Sequence, residues 1–273
     1  MRTFAAPTEG PIMPHRQRIR IASLTYHDVT DDPTSSGFQR RGARSYCTTT
    51  ANFRRQLDAI ERSQQAPGRI TDVDWSRAGR HLMLTFDDGG RSALDAGAEL
   101  CRRGWRGHFF VTTALIGQRT FLQAADIREL RSQGHIIGSH SHTHPDIFRE
   151  LPMPAMLTEW RVSRDLLSQL LGEDVVVASV PGGDVSEPVF HTAASAGYRF
   201  LFTSEPRPVP QRIDACWVLG RAVLKRGATP RYVGQLAELD GWRREAVKRT
   251  LKNSARRTFP GLYRRYVRAL AAE

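Results

Sequence analysis

The sequence predicts an α/β fold, either a βα barrel or a doubly wound sheet, on three observations. Seven short apolar runs alternate with stretches of helical periodicity, and glycines close four of the helical stretches. The length of 273 residues exceeds an ordinary domain of ~150 residues yet suits a single α/β barrel. Near-continuous hydrophobicity within each run is what parallel strands covered on both faces require.

The first run, 19–27 (IRIASLTYH), precedes a helix expected near 51–64, where Phe53, Leu57 and Ile60 share one face. The second strand, 81–86, leads into a helix near 91–103 carrying Leu94, Ala98 and Cys101, with Gly104 as its stop. The third strand, 107–112, is followed by a helix near 123–133, marked by Ile127 and Leu130 and closed at Gly134. After the fourth strand, 135–139, a longer helix near 154–171 places Met156, Trp160, Ser163, Leu167 and Leu170 on one side and ends at Gly172. The remaining strands are 174–180, 198–203 and 216–224, with a helical segment after Pro188 that stops at Gly197. In either architecture the chemistry belongs at the C-terminal ends of the strands.

Both ends of the chain read differently. Residues 1–18, with Pro7, Pro11 and Pro14 and no periodicity, read as loosely ordered, and the α/β unit spans 19–225. Residues 226–273 form a basic helical extension; between 241 and 273 there are ten basic residues and two acidic ones. Within it Ala246 and Thr250, then Leu262, Tyr266 and Leu270, suggest two amphipathic helices broken at Pro260-Gly261. Their apolar sides are expected to pack on the barrel with the arginines facing solvent, and peripheral contact with an anionic surface is the further reading.

Composition excludes several classes. The longest unbroken apolar run is Ala215–Leu219, far short of the roughly 18 residues a membrane-spanning helix needs. The first twenty residues contain no apolar h-region, so an export signal is not expected and a cytoplasmic location is. Cys47, Cys101 and Cys216 are odd in number and widely spaced, which argues against a disulfide framework or a thiolate zinc site. A net charge of +12 invites a nucleic-acid reading, but 37 of the 40 basic residues are arginine throughout the chain and no recognition module is present, so no nucleic-acid partner is expected.

Two clusters carry chemistry. The second strand runs directly into Asp87-Asp88-Gly89-Gly90, and two adjacent carboxylates at a strand end need compensation by a cation or a proton. The fourth strand runs into His140-Ser141-His142-Thr143-His144-Pro145, three histidines within five residues. Pro145 disfavours the α conformation at His144 and makes a tight turn the better expectation. Two neutral imidazoles with one carboxylate would leave positions open for water or substrate, as a catalytic metal site requires.

Together these residues resemble the polysaccharide deacetylase family, the NodB-homology hydrolases. Thr85-Phe86-Asp87-Asp88-Gly89 is similar to the family's first motif, and His140 to His144 to its second; Tyr26-His27-Asp28-Val29 is similar to the opening strand. The resemblance implies a distorted (β/α) barrel of about seven parallel strands over 19–225. It implies a divalent metal, most often zinc, held by Asp88, His140 and His144, with Asp87 as general base. It implies removal of N-acetyl groups from an amino-sugar saccharide, as in exopolysaccharide or envelope biosynthesis. His142 falls outside the matched ligand positions and is expected behind a ligand or exposed.

The third motif departs from the family pattern: Ser179-Val180-Pro181-Gly182-Gly183 lacks the arginine expected at 179. Pro181 and Gly182 keep the turn, Pro181 is taken as a substrate contact, and the Gly182 amide is the candidate oxyanion donor. Arg221, in Leu219-Gly220-Arg221, is the candidate to replace the missing arginine from across the barrel. The family's late histidine, the general acid, is also missing; His27, ending the first strand, is the candidate to face substrate there, and His191 is expected at the surface. Two rivals stay open: a saccharide-binding module that has lost turnover, and a hydrolase of another C–N bond. Amidohydrolase barrels fit less well, because Lys225, Lys248 and Lys252 leave no lysine in the middle of the chain to bridge two metals.

Overall fold

The computed structural model describes residues 19–63, 65–183 and 185–271. The loosely ordered segment expected at 1–18 lies outside the described residues. Nine strands follow in chain order: β1 (Arg20–Tyr26), β2 (Arg80–Phe86), β3 (His108–Val111), β4 (Ile136–Ser139), β5 (Val177–Ser179), β6 (Phe200–Phe202), β7 (Gln211–Ile213), β8 (Cys216–Leu219) and β9 (Ala222–Val223). They form one sheet in the order β7-β8-β6-β5-β4-β3-β2-β1-β9, parallel throughout except for β7, which runs antiparallel to β8 at one edge.

The run 216–224, expected to be one strand, is two. Its first half pairs with β6 and its second half with β1, so this single stretch bridges the two sides of a curled, incompletely closed barrel. The break falls at Gly220, where an added Cβ would stand 2.2 Å from the Glu205 carbonyl oxygen; only glycine fits so close to another backbone.

Alternation along the strands sorts residues into two layers. Ile21, Met83, Phe110, Val177, Phe200, Phe202 and Leu219 fill the barrel interior together with Ile70 and Val73. Trp75 stacks on Trp217, with ring centroids 4.1 Å apart, and packs against the same cluster. The opposite faces, with Leu24, Tyr26, Leu84 and Phe109 among them, pack under helices α1 (Thr50–Glu61), α2 (Ala93–Arg102), α3 (Ala124–Ser132), α4 (Met153–Leu171) and α5 (Glu187–Ser195).

The helices begin and end where the local chemistry dictates. The Thr49 side chain accepts from the Asn52 amide at 3.3 Å to start α1, and Gly172, at φ 69°, closes α4. Helix α6 (Pro230–Ala237) lies against α1 and β1, and its Val233 and Leu236 join the helix-side core, as does Trp242.

Helices α7 (Trp242–Thr258) and α8 (Pro260–Ala271) meet at Phe259, as the Pro-Gly break predicts. Their sidedness is not as expected. Leu262 and Tyr266 are exposed, Thr250 is exposed, Ala246 is half-buried, and Leu270 alone of the expected stripe lines an interior cavity. Arg249 and Arg256 turn inward instead, because polar partners in the barrel rim accept them: Glu205 and the Gly183 carbonyl bind Arg249. No helix among the described residues is long and apolar enough to cross a membrane.

Candidate active site

Thr85 on β2, and Asp87 immediately after its end, continue the inward alternation of Met83. The chain then turns sharply at Asp88, which has φ 75°, a left-handed conformation rare outside glycine, followed by Gly89 at φ 80°. The end of β4 behaves alike: His140 still pairs with Val111, but Ser141 (φ 63°) and His144 (φ 57°) are both left-handed. Two serines hold this turn, Ser139 Oγ accepting from the Ser141 amide at 3.0 Å and Ser141 Oγ from the His144 amide at 3.1 Å. Strained backbone in two neighbouring turns is affordable where the resulting side-chain placement is used.

That placement brings Asp88, His140 and His144 together, one ligand atom from each lying within 4.8 Å of the others. His140 Nε2 stands 3.4 Å and His144 Nε2 3.6 Å from Asp88 Oδ1. These separations match the edge of a tetrahedron with N and O ligands around zinc, roughly 3.3 Å for bonds of about 2.0–2.1 Å. His140 Nδ1 lies 3.1 Å from the Ser179 carbonyl, which fixes the proton there and leaves the Nε2 lone pair facing Asp88. Burial pushes the His144 pKa down to about 4, keeping the ring neutral, the form that ligates. Burial by itself would raise the Asp88 carboxyl, but the imidazoles of His140, His27 and His144 around it hold it well below the usual range. The donor set, its separations and its protonation states therefore fit a divalent ion.

Beside it, Asp87 is gripped by Arg221, which donates from both terminal nitrogens at 2.7 and 2.8 Å to the two carboxylate oxygens. Arg221 is wholly buried; it also donates to the Thr203 carbonyl, Thr85 Oγ1 and Ser179 Oγ. Burial raises the Asp87 carboxyl, but the adjacent guanidinium more than offsets this and leaves it below its ordinary value. Arg221 thus reaches Asp87 from across the barrel and is buried rather than at the surface.

A cavity of about 280 Å³ opens over both clusters. Its wall includes His27 and Gly182, as expected. Pro181, expected as a substrate contact, is buried and does not line this cavity, whose wall at that turn is formed by Val180, Gly182 and Gly183. His142 hydrogen-bonds Thr113 at 2.9 Å, away from the cavity, and His191 pairs with Asp214 in an exposed position.

Several cavity residues carried no sequence signal. Phe38, Arg40 and Tyr46 come from the loop after β1; Phe38 lies 4.9 Å from the His144 ring and Tyr46 lies 4.6 Å from the His27 ring, centroid to centroid. Arg249 and Lys252 on α7, and Val267 and Leu270 on α8, close the far side. Asp28 is also on the wall, buried and accepting from Ser36 and Ser92, its carboxyl raised chiefly by burial. Asp28, already part of the opening-strand motif Tyr26-His27-Asp28-Val29, packs against Gly37 and Gly90, where any Cβ would collide with its carboxylate.

Residues 76–201 match the family model described as Polysaccharide deacetylase. A Bacillus subtilis (strain 168) protein named for the polysaccharide deacetylases, YxkH, is 26% identical over 126 residues, which span 46% of this chain and 45% of that relative. Among solved structures, the Streptococcus pyogenes deacetylase PplD in complex with acetate superposes with a TM-score of 0.67 at 19% identity, covering 81% of this chain and 99% of that one. A polysaccharide deacetylase of Bacillus cereus gives a TM-score of 0.68 at 18% identity, over 81% of this chain and 69% of its own. At these identities the superpositions show a shared fold.

Proposed function

We propose that this chain belongs to the polysaccharide deacetylase family, whose model matches residues 76–201, and hydrolyses the N-acetyl amide of an amino-sugar saccharide with the help of a divalent ion, zinc by the chemistry of its donors. The observation that carries this reading is the juxtaposition of two differently employed carboxylates: Asp88 converges with His140 and His144, while Asp87 faces Arg221. A binding module would have no use for the second.

When bound, a divalent ion supplies Lewis-acid activation of water and of an acyl oxygen. Asp87, adjacent in sequence and held ionised, is assigned to accept the proton of the attacking water. Arg221 positions that carboxylate: its fork fixes both oxygens and lowers their basicity, which keeps Asp87 deprotonated before the reaction. Gly182 lines the cavity, and its N–H is assigned to the oxygen that gains charge as the carbonyl becomes tetrahedral. Proton delivery to the departing amine falls to His27, which among the described residues is the histidine on the wall besides the two ligands. The products are acetate and a free sugar amine.

The test is acetate release from partly acetylated glucosamine oligomers, with metal uptake measured in parallel. Wild-type protein should turn over with zinc added and stop with chelator. Asp87→Asn should lose at least a hundredfold in kcat and keep stoichiometric zinc, whereas His140→Ala should lose both. Zinc uptake without turnover on a broad acetylated panel would instead favour the saccharide-binding reading.

A further inference from the structure

We infer that the outer face of α7 and α8 docks on an anionic lipid bilayer. Eight large hydrophobic side chains are exposed among the described residues, and five belong to this helix pair or its joint: Val247, Leu251, Phe259, Leu262 and Tyr266, at 59–67% exposure. Helix α7 is built inside out. Arg249 and Arg256 turn toward the barrel rim, bound or covered there, while Val247 and Leu251, one turn apart, face away from it. On α8, Val267 and Leu270 line the cavity, and Leu262 and Tyr266 on the preceding turns are exposed. Five large apolar side chains left exposed on one helix pair exceed the scattered single residues of an ordinary soluble surface.

Charge selects the occupant. Arg243, Arg244 and Lys248 on α7 and Arg265 on α8 are exposed on the same helices as the apolar residues, and ten basic residues face two acidic ones over 241–273. Arginine and lysine stems beside an apolar stripe, with cationic heads at phosphate level, are the arrangement of a helix lying in a membrane interface. A second copy of the chain would bring a face of the same positive sign, and a nucleic acid would satisfy the arginines while leaving the apolar residues in water. An anionic bilayer meets both needs. Since the inner sides of the same helices line the candidate active site, docking would hold that cavity about one helix diameter, roughly 10 Å, from the lipid.

The experiment is co-sedimentation of the full chain with vesicles, and it requires no turnover, so its outcome is independent of the deacetylase reading. The chain should pellet with phosphatidylcholine vesicles containing about a third phosphatidylglycerol, much less with phosphatidylcholine alone, and less as salt rises. Leu251→Glu combined with Leu262→Glu should weaken binding at least tenfold without moving the thermal midpoint, since both side chains are exposed. Arg243→Gln and Arg244→Gln should each weaken it roughly fivefold. Absence of pelleting at low salt, or full binding by the double glutamate variant, would overturn the inference. So would concentration-dependent dimerisation abolished by the same variant, which would make this face a contact between copies.

Discussion

At position 179 a serine stands where a longer side chain would occupy the space now filled by Arg221, and three functions meet there. Its carbonyl orients His140, and its hydroxyl accepts from Arg221 and donates to Asp87 at 3.3 Å. Asp87 and His140 are therefore tied to the same residue. Arg221→Lys keeps the charge but loses the two-pronged grip, so kcat should fall about tenfold or more while zinc stoichiometry is kept; steady-state kinetics with metal analysis checks this. Unchanged kcat would reduce Arg221 to a packing role. Arg221→Ala leaves Asp87 buried without its cation and should cost about 3–5 kcal/mol in denaturant unfolding.

Among the elements, the stretch 216–224 departs most from its sequence pattern. As a string it is one apolar run, and nothing in it says that its halves serve opposite edges of the sheet. Only Gly220 hints at the break, and the reason lies elsewhere, in the Glu205 and Arg207 backbone pressed against it. Gly220→Ala must displace that backbone and should destabilise the protein by about 1–3 kcal/mol, with a matching drop in activity because Arg221 is the next residue; chemical denaturation beside the acetate assay would show it. Strand β7 was missed because three residues, two of them exposed and polar, carry no period to detect. The four helices expected between 51 and 171 all form within about three residues of their expected ends, since each has a continuous buried stripe. Helix α7 has a period too, but period alone does not say which side faces inward when the inner partner is Glu205 rather than a hydrophobic core.

For the molecule as a whole, two histidines outside the active site make stability depend on pH. His108 accepts from the Ile70 amide at 3.0 Å and His135 from the Gly107 amide at 3.1 Å, each with one ring nitrogen that must stay unprotonated. Burial pushes both pKa values down to about 4 from an ordinary 6.5. Between those values the unfolded chain binds more protons than the folded one, so stability is full above pH 6.5 and declines as pH falls toward 4. The slope is at most about 1.4 kcal/mol per pH unit for each histidine. Thermal midpoints measured across that range in chelator should fall with pH, and His108→Gln should make the slope shallower; a flat profile would contradict the assignment.

What the sequence determined by itself was local. Strand and helix positions follow from periodicity, and the carboxylate pair and the histidine cluster sit at the ends of parallel strands, which any α/β barrel brings to one rim; the choice of Asp88, His140 and His144 among them is what the family resemblance implies. Tertiary structure decided what depends on distant backbone: the bridging of the barrel by two half-strands, the burial of Arg221 against Asp87, and the closure of the cavity by α7 and α8. Those outcomes depend on which neighbours share space after folding, and a linear pattern records the polarity of a side chain but not the partner it will meet.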